Sequence, residues 1–315
     1  MDAWIIDAFG GIDRMQLVDL PTAPPGEGEV LVRIKAVGVN PVDWKIREGR
    51  LAGMIPHEFP LVLGWDMAGV VEEPGYGARR FMPGDEVYAY ARRPVIKHGT
   101  YAEYITLPES YLSLKPSGIT MEEAAAVPLV TLTAAQSLFG AGRLQTGETV
   151  LIIGASGGVG SSAVQLAKLA GARVVAMASK PNHAYLRSLG AGEVLSYTDE
   201  AFTKTVNNRF SQGVDMVFDC FGGESLNQSI DCLKPGGRVI SITGEADRNR
   251  LKARSAAFEF VFVEPNAAQL DHFRDLIHQG RFKSNVSRVF PFSEAVSAHQ
   301  QMETGHTRGK IVLRI

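Results

Sequence analysis

The chain has 315 residues, 45% of them hydrophobic and 21% charged, enough for two domains of ordinary size that each bury a core. A formal net charge of −2 argues against a nucleic-acid partner, because polyanion-binding proteins carry a clear basic excess. MDAWIIDAFGG lacks the basic and apolar parts of a secretory signal, no apolar run reaches the ~18 residues of a membrane span, and Cys220 and Cys232 are too few for a disulfide framework, so a reducing cytoplasm without membrane contact is expected.

Residues 1 to about 120 read as β-rich. The runs 30–36 (VLVRIKA), 66–72 (DMAGVVE) and 86–90 (EVYAY) alternate or cluster apolar residues. Turn signals at Pro24-Pro25-Gly26, Pro74-Gly75 and Pro83-Gly84-Asp85 separate them, which predicts a compact barrel or folded sheet. Residues 121–126 and 133–139 carry helical spacing. From 149 onward strands and helices alternate: strands at 149–154, 172–179, 193–197, 214–220, 237–243 and 257–263, helices at 161–170, 182–189 and 224–233. This βαβ rhythm predicts an α/β unit with a parallel sheet and helices on both faces. Two helices, near 270–279 and 293–304, and the strand KIVLRI close the chain.

The most informative stretch is Gly154-Ala155-Ser156-Gly157-Gly158-Val159-Gly160, which leaves a strand and opens a helix. Glycines there let the chain turn sharply and bring backbone N–H groups against a pyrophosphate, with the positive end of the helix behind them. Gly160 removes a Cβ where helix and strand pack. A methyltransferase places a similar turn after its first strand but, like an NAD enzyme, ends its second strand with an acid that holds ribose hydroxyls. Here that strand ends Met177-Ala178-Ser179-Lys180. A carboxylate repels the 2′-phosphate of NADP, whereas a hydroxyl and an ammonium bind it, so Ser179, Lys180 and, beyond the third strand, Tyr197 are the expected phosphate contacts for NADPH. The alternative for Lys180 is a solvated lysine at a helix cap.

With AVGVNPVD (36–43), GWDMAG (64–69), PGDEV (83–87), GTYAEY (99–104), the glycine turn, GGRV (236–239) and GKIVL (309–313) in this order, the chain resembles the zinc-free, NADPH-dependent quinone-oxidoreductase type of medium-chain dehydrogenase/reductase. The resemblance implies a GroES-like, β-rich catalytic domain over 1–123, completed by 266–315. It also implies a doubly wound Rossmann NADP-binding domain over 124–265, an active site in the cleft, and a homodimer made by pairing 257–263 at the Rossmann sheet edge. Zinc-dependent relatives place Cys where Asn40-Pro41 lies and a His-Glu pair where Trp65-Asp66 lies. Neither position carries those ligands here, the structural-zinc cysteines are absent, and no metal is expected.

Without a metal, a conjugated acceptor is the easier substrate. It spreads the charge of hydride addition over an enolate or hydroquinone, so a quinone or an α,β-unsaturated carbonyl is favoured over a plain ketone. Positioning supplies the rest. Asn40 is the candidate amide facing the nicotinamide or the substrate oxygen, its alternative being a turn residue before Pro41. Trp65 fills the place of a metal-binding histidine as an aromatic wall. Thr133 either touches the cofactor, by resemblance, or N-caps the helix entering the Rossmann domain. Phe221, Gly222, Thr243 and Gly244 follow the fourth and fifth strands and line the nicotinamide side, Phe262 and Val263 close the cleft, and Lys310 is a further cofactor contact. Asp43 reads as a loop-fixing carboxylate, and Tyr88, Tyr101 and Tyr104 as acids or pocket walls. A metal-free carbonyl or alcohol oxidoreductase and a non-catalytic NADPH-binding redox sensor are the competing readings.

Overall fold

The computed structural model of the chain describes residues 1–197 and 202–315. Its contacts divide into two compact units: Met1–Leu129 with Glu264–Ile315, and Val130–Val263.

The first unit opens with β1 (Asp2–Ile6), β2 (Gln16–Asp19), β3 (Glu29–Val39), α1 (Pro41–Arg47), β4 (Leu61–Val62), β5 (Asp66–Pro74), β6 (Glu86–Tyr90), β7 (Tyr104–Pro108), β8 (Leu112–Leu114) and α2 (Met121–Ala125). Several of these strands go unseen in the sequence because they are short or carry few apolar residues. β3 is the spine of the unit, with only Arg33 exposed along its length. It tolerates close neighbours because of glycines: a Cβ on Gly69 of β5 would lie 2.4 Å from the Arg33 carbonyl oxygen, and one on Gly38 of β3 itself 2.4 Å from that of Ala125. α1 starts with Pro41, whose missing N–H costs nothing at that place, and Asp43 Oδ2 accepts the Asn40 backbone N–H at 2.8 Å. Thr120 and Glu123 form a reciprocal capping box for α2.

α3 (Pro128–Ala135) contains the boundary between the units and runs into a π-helical segment, Gln136–Ala141. Met121–Ala141 taken together is long and apolar enough to cross a membrane, which the sequence reading did not anticipate; 78% of its most apolar window is buried inside the protein.

The second unit holds β9 (Thr149–Ile153), α4 (Gly158–Leu169), β10 (Arg173–Met177), α5 (His183–Ser188), β11 (Glu193–Leu195), α6 (Phe202–Arg209), β12 (Val214–Asp219), α7 (Gly223–Ser229), β13 (Leu233–Ser241), α8 (Arg248–Ala253) and β14 (Ala257–Phe260). The strands form one parallel sheet in the order β11-β10-β9-β12-β13-β14. Leu151, Ile153, Val175, Met177, Val217 and Val239 point into a core that Phe202, Val206, Leu226 and Ile230 complete from the helices. Pairing sets Ile153 opposite both Met177 and Asp219, Asp219 opposite Ser241 and Met177 opposite Leu195, so five strands end at one level. The order reverses at β9, between β10 and β12, and ligands of such sheets bind at that switch point. β14 stops at Phe260, so Phe262 and Val263 leave the expected strand; among the described residues its outer edge is unpaired, with Ala257, Glu259 and Phe260 exposed.

The chain then returns to the first unit through α9 (Ala267–His278), β15 (Val286–Pro291), α10 (Ala295–Glu303) and β16 (Lys310–Arg314). β16 pairs antiparallel with β3 and parallel with β15, giving the sheet order β15-β16-β3-β5-β6-β8; β7 pairs β3 as well, and β2-β1-β4 form a smaller sheet. The first unit is built on mostly antiparallel sheets with helices against them, the second on a Rossmann sheet.

Candidate active site

The glycine-rich turn is built as phosphate chemistry requires. Gly154 leaves β9 with φ +71°, a conformation side-chain-bearing residues avoid. The Ala155 N–H donates to the Met177 carbonyl at 3.0 Å, tying the turn to the end of β10. A Cβ at Gly160 would lie 2.4 Å from the Gly154 carbonyl oxygen and 2.6 Å from Ala155 Cα, so only glycine lets α4 pack this closely on the turn. Gly157 caps α4 without a side-chain hydrogen bond, and Ser156, Gly157, Gly158 and Val159 are half-buried at the start of this twelve-residue helix, whose first-turn amides have no acceptor within the helix.

Beside the turn, Ser179 is half-buried and Lys180 exposed at the end of β10. Ser179 Oγ accepts from Asn182 Nδ2 at 3.1 Å, and no acid stands in Met177-Ala178-Ser179-Lys180. Past β12, the buried Asp219 organises two loops. Its Oδ1 accepts the Phe221 and Gly222 N–H groups at 3.1 and 2.7 Å, and its Oδ2 accepts the Ser241 and Thr243 hydroxyls at 2.7 and 2.5 Å. Gly222 takes φ +86° in that turn, where a Cβ would meet Thr243 Oγ1 at 2.8 Å. Asp219 is the residue of this region that sequence reasoning missed. Its signal was an acid closing an apolar strand, VDMVFD.

The first unit buries a different kind of cluster. Lys310 Nζ donates to Val39 O at 2.9 Å, to Asn40 Oδ1, and to Asp66 Oδ2 at 3.1 Å. Asn40 Nδ2 donates to Gly38 O and Asp66 Oδ2, and Leu129 N–H donates to Asp66 Oδ1 at 2.7 Å. Burial raises the Asp66 carboxyl against the opposing pull of the Lys310 ammonium. A second chain continues from Asp43. Tyr101 Oη lies 3.1 Å from Asp43 Oδ2 and 3.1 Å from His299 Nε2, and Arg47 reaches His299 Nδ1 at 3.2 Å and Glu303 Oε1 at 2.8 Å. The guanidinium can only donate, so Nδ1 accepts, Nε2 carries the proton and donates to Tyr101, and Tyr101 donates to Asp43. Burial, with Arg47 beside it, pushes His299 down to about 3, and burial pushes Asp43, whose Oδ1 has no hydrogen-bond partner among the described residues, up to about 7.

The comparisons with known proteins follow this geometry. An alcohol dehydrogenase GroES-like domain family matches residues 26–117 and a zinc-binding dehydrogenase family matches 189–313. The chain is 33% identical to an NADPH-dependent alkenal/one oxidoreductase of Arabidopsis thaliana, over 99% of the chain and 79% of that protein. It is also 33% identical to a chloroplast envelope quinone oxidoreductase homolog of the same plant, over 96% of the chain and 95% of that protein. Escherichia coli quinone oxidoreductase in complex with NADPH superposes with a TM-score of 0.90 at 26% identity, all of both chains being covered. The chain belongs to the medium-chain dehydrogenase/reductase superfamily, in its zinc-free, quinone-oxidoreductase-like branch. A solved NAD-dependent alcohol dehydrogenase is a neighbour too, with a TM-score of 0.93 and 32% identity over the whole of both chains.

In this medium-chain dehydrogenase/reductase, several residues named from the sequence stand elsewhere than expected. Asn40, 1% exposed, turns its amide inward to Gly38, Asp66 and Lys310. Lys310, 3% exposed, is a buried ion-pair partner in the first unit, with three oxygens around its ammonium. Thr133 lies inside α3, five residues past its first, which rules out an N-cap role. Trp65 is buried with its ring edge-on to Tyr90, centroids 5.9 Å apart. The Thr243 hydroxyl is engaged by Asp219 and Ser241, while Gly244, half-buried, donates its N–H to Ser241 Oγ at 3.3 Å. Tyr88 donates to the Leu270 carbonyl and Tyr101 to Asp43, so both are buried braces. Phe262 is half-buried and Val263 buried. Among the described residues no group of three or more His, Cys, Asp or Glu is placed to hold a metal ion.

Proposed function

We propose that the chain is an NADPH-dependent reductase that passes a hydride to a quinone or an α,β-unsaturated carbonyl. The observation that carries this reading is the pairing of a glycine turn no Cβ could enter at Gly160 with a β10 end that offers Ser179 and Lys180 in place of an acid. The turn and the α4 amides would hold the pyrophosphate, and Ser179 and Lys180 the 2′-phosphate. When bound, the nicotinamide supplies the hydride. Asn40 and Trp65 offer neither thiolate nor imidazole, and the cation nearest Asn40 is the Lys310 ammonium, sealed among its own partners. A conjugated acceptor suits such a chain, since it carries its own charge delocalisation and takes its proton from solvent. The printed names of the alkenal/one and quinone oxidoreductases among the relatives support the same class.

The test is absorbance of NADPH and of NADH, each mixed with the protein and a 1,4-quinone, an enone or a saturated ketone. Faster oxidation of NADPH with the first two acceptors is the expected result. Turnover of the saturated ketone with NADH would favour a second reading, a carbonyl or alcohol oxidoreductase, which the likeness to the NAD-dependent alcohol dehydrogenase supports. Binding of NADPH without oxidation by any acceptor would favour a redox sensor. We further propose that the open edge of β14 pairs with a second copy, because an unpaired strand edge is otherwise an aggregation hazard. Light scattering should then give twice the 34.1 kDa of one chain.

A further inference from the structure

The two ends of the parallel sheet in the second unit differ. The carboxyl ends carry the glycine turn, Ser179 and the exposed, stacked rings of Tyr197 and Phe221. At the amino ends, where β12 starts at Val214 and β13 at Leu233, Asn207, Gln212, Gly213, Lys234 and Arg254 border an open cavity of about 580 Å³. β12 is six residues long, so the cavity stands about 16 Å from Asp219 and the loops that Asp219 braces. Gly213 lets the turn after α6 press on the start of β13: it takes φ +86°, and a Cβ on it would lie 2.4 Å from the Lys234 backbone nitrogen.

The cavity is lined by hydrogen-bond donors and by no carboxylate. The acids nearby are taken. Lys234 Nζ donates to Asp215 Oδ1, and Asp215 Oδ2 accepts the Thr149 N–H at 2.7 Å. The Asp231 carboxylate accepts from Arg250 at 2.5 Å. Arg254, half-buried, donates from Nη2 at 2.7 Å to the Asp231 backbone carbonyl, which Asn207 Nδ2 also reaches at 3.3 Å. Among the described residues no carboxylate pairs with Arg254, and its Nε and Nη1 have no acceptor. The carboxyl end of α8 favours a cation at this place, but its carbonyls are occupied by the N–H groups of Arg254, Ser255 and Ala256. The Arg254 backbone is held as well, since its carbonyl accepts the Gly236 N–H at 2.9 Å.

We propose that this cavity is an anion site separate from that of the nucleotide, in which Arg254 and Lys234 bind the phosphate or carboxylate group of a small molecule. The guanidinium presents a planar fork that two oxygens of one oxyanion can share, and the ammonium keeps N–H groups beyond its bond to Asp215. The volume exceeds that of a bare ion and falls in the range of small-molecule sites, and the Asn207 and Gln212 amides offer polar edges to the rest of the molecule.

Calorimetric titration with inorganic phosphate and with acetate, in a buffer free of both, tests this on the unaltered chain, Arg254→Gln and Arg254→Lys, with and without NADPH. Thermal melts check that the variants fold. The unaltered chain should bind in the millimolar range, and whichever anion binds more tightly names the group the site takes. Arg254→Gln should weaken that anion by about tenfold or more, with Arg254→Lys, which keeps the charge and loses the fork, between the two. NADPH should leave the titration unchanged. If Arg254→Gln does not fold, Arg254→Lys decides, with a several-fold loss supporting the site and no change overturning it. Unaltered affinity in a folded Arg254→Gln overturns the site, as does the lack of binding by either anion at about 20 mM. Complete displacement of the anion by NADPH overturns it too, because the anion would then occupy the nucleotide site.

Discussion

The two units handle polar groups in opposite ways. The first unit buries Asp43, Arg47, Asp66, Tyr101, His299 and Lys310 at 3% exposure or less and gives them one another as partners. The second leaves its useful donors half-exposed at strand ends, with Asp219 and Ser241 fully buried behind them as braces. The difference teaches that burial of charge marks framework in this protein, and that the proposed cofactor site lies where backbone N–H groups and short side chains stay open. A perturbed carboxyl such as Asp43 would draw attention in a search for catalytic groups. Its partners show it to be a joint between α1, Tyr101 and α10.

The comparison can be broken first at its most costly point. Lys310→Met would strand the Asp66 carboxylate, 0% exposed, without its cation, and should destabilise the first unit by about 3–5 kcal/mol in denaturant melts. Replacing both, as Lys310→Met with Asp66→Asn, should cost much less than the first change alone. Next, Gly160→Ala sets a methyl group 2.4 Å from a backbone oxygen, which α4 can relieve only by shifting. A loss of about 1–3 kcal/mol in stability is expected, and NADPH affinity should fall by more than tenfold in titration.

A third prediction concerns pH and works within the first unit. Asp43 is raised to about 7 in the folded chain from 3.8, so its folded form holds a proton the unfolded chain has lost, and this contribution to stability declines as pH rises from about 4 to 7. His299 is lowered to about 3 from 6.5, so its contribution is present above pH 6.5 and declines as pH falls toward 3. Between about pH 4 and 6.5 the two slopes oppose each other. Asp43→Asn should therefore leave stability rising with pH across that window, and His299→Gln should leave it falling, each by at most about 1.4 kcal/mol per pH unit. Melts of the two variants at several pH values check the signs. The smallest effect is expected at Lys180, which is exposed: Lys180→Ala should weaken NADPH by roughly tenfold or less and leave NADH unchanged, measured by fluorescence titration.

Much of the second unit was legible because its signals are local. The glycine turn lies between a buried strand and an Ala-rich helix, and the sheet follows from alternation over a few residues at a time. Departures arose where chain chemistry overrides a pattern. Gly236, at φ +74°, and Pro235 lie within β13, which begins at Leu233 and shifts register against β12, so the strand starts four residues before the expected 237. Phe262 and Val263 continue an apolar run whose pairing partner ends at Ser241. The first unit was harder to read because its defining contacts are distant in sequence. Arg47 meets His299 across 252 residues and Asn40 meets Lys310 across 270. No periodicity or spacing reports such pairs, and that residues 40 and 310 are partners of each other was accordingly not legible.

The place of β16 also bears on how the chain comes to be folded during synthesis. The second unit is one continuous stretch, Val130–Val263, and can close once that stretch has left the ribosome. The first unit cannot. Its central strand β3 has β16 as one neighbour, and β16 is Lys310–Arg314. At about 5–20 residues per second, the earlier-made part waits on the order of 10 s or more for its last strand. Throughout that interval the edge of β3 from Ala36 to Val39 stands unpaired, an apolar template open to other nascent chains. The unit begun first is finished last, and any slowing of translation over residues 264–310 lengthens that exposure.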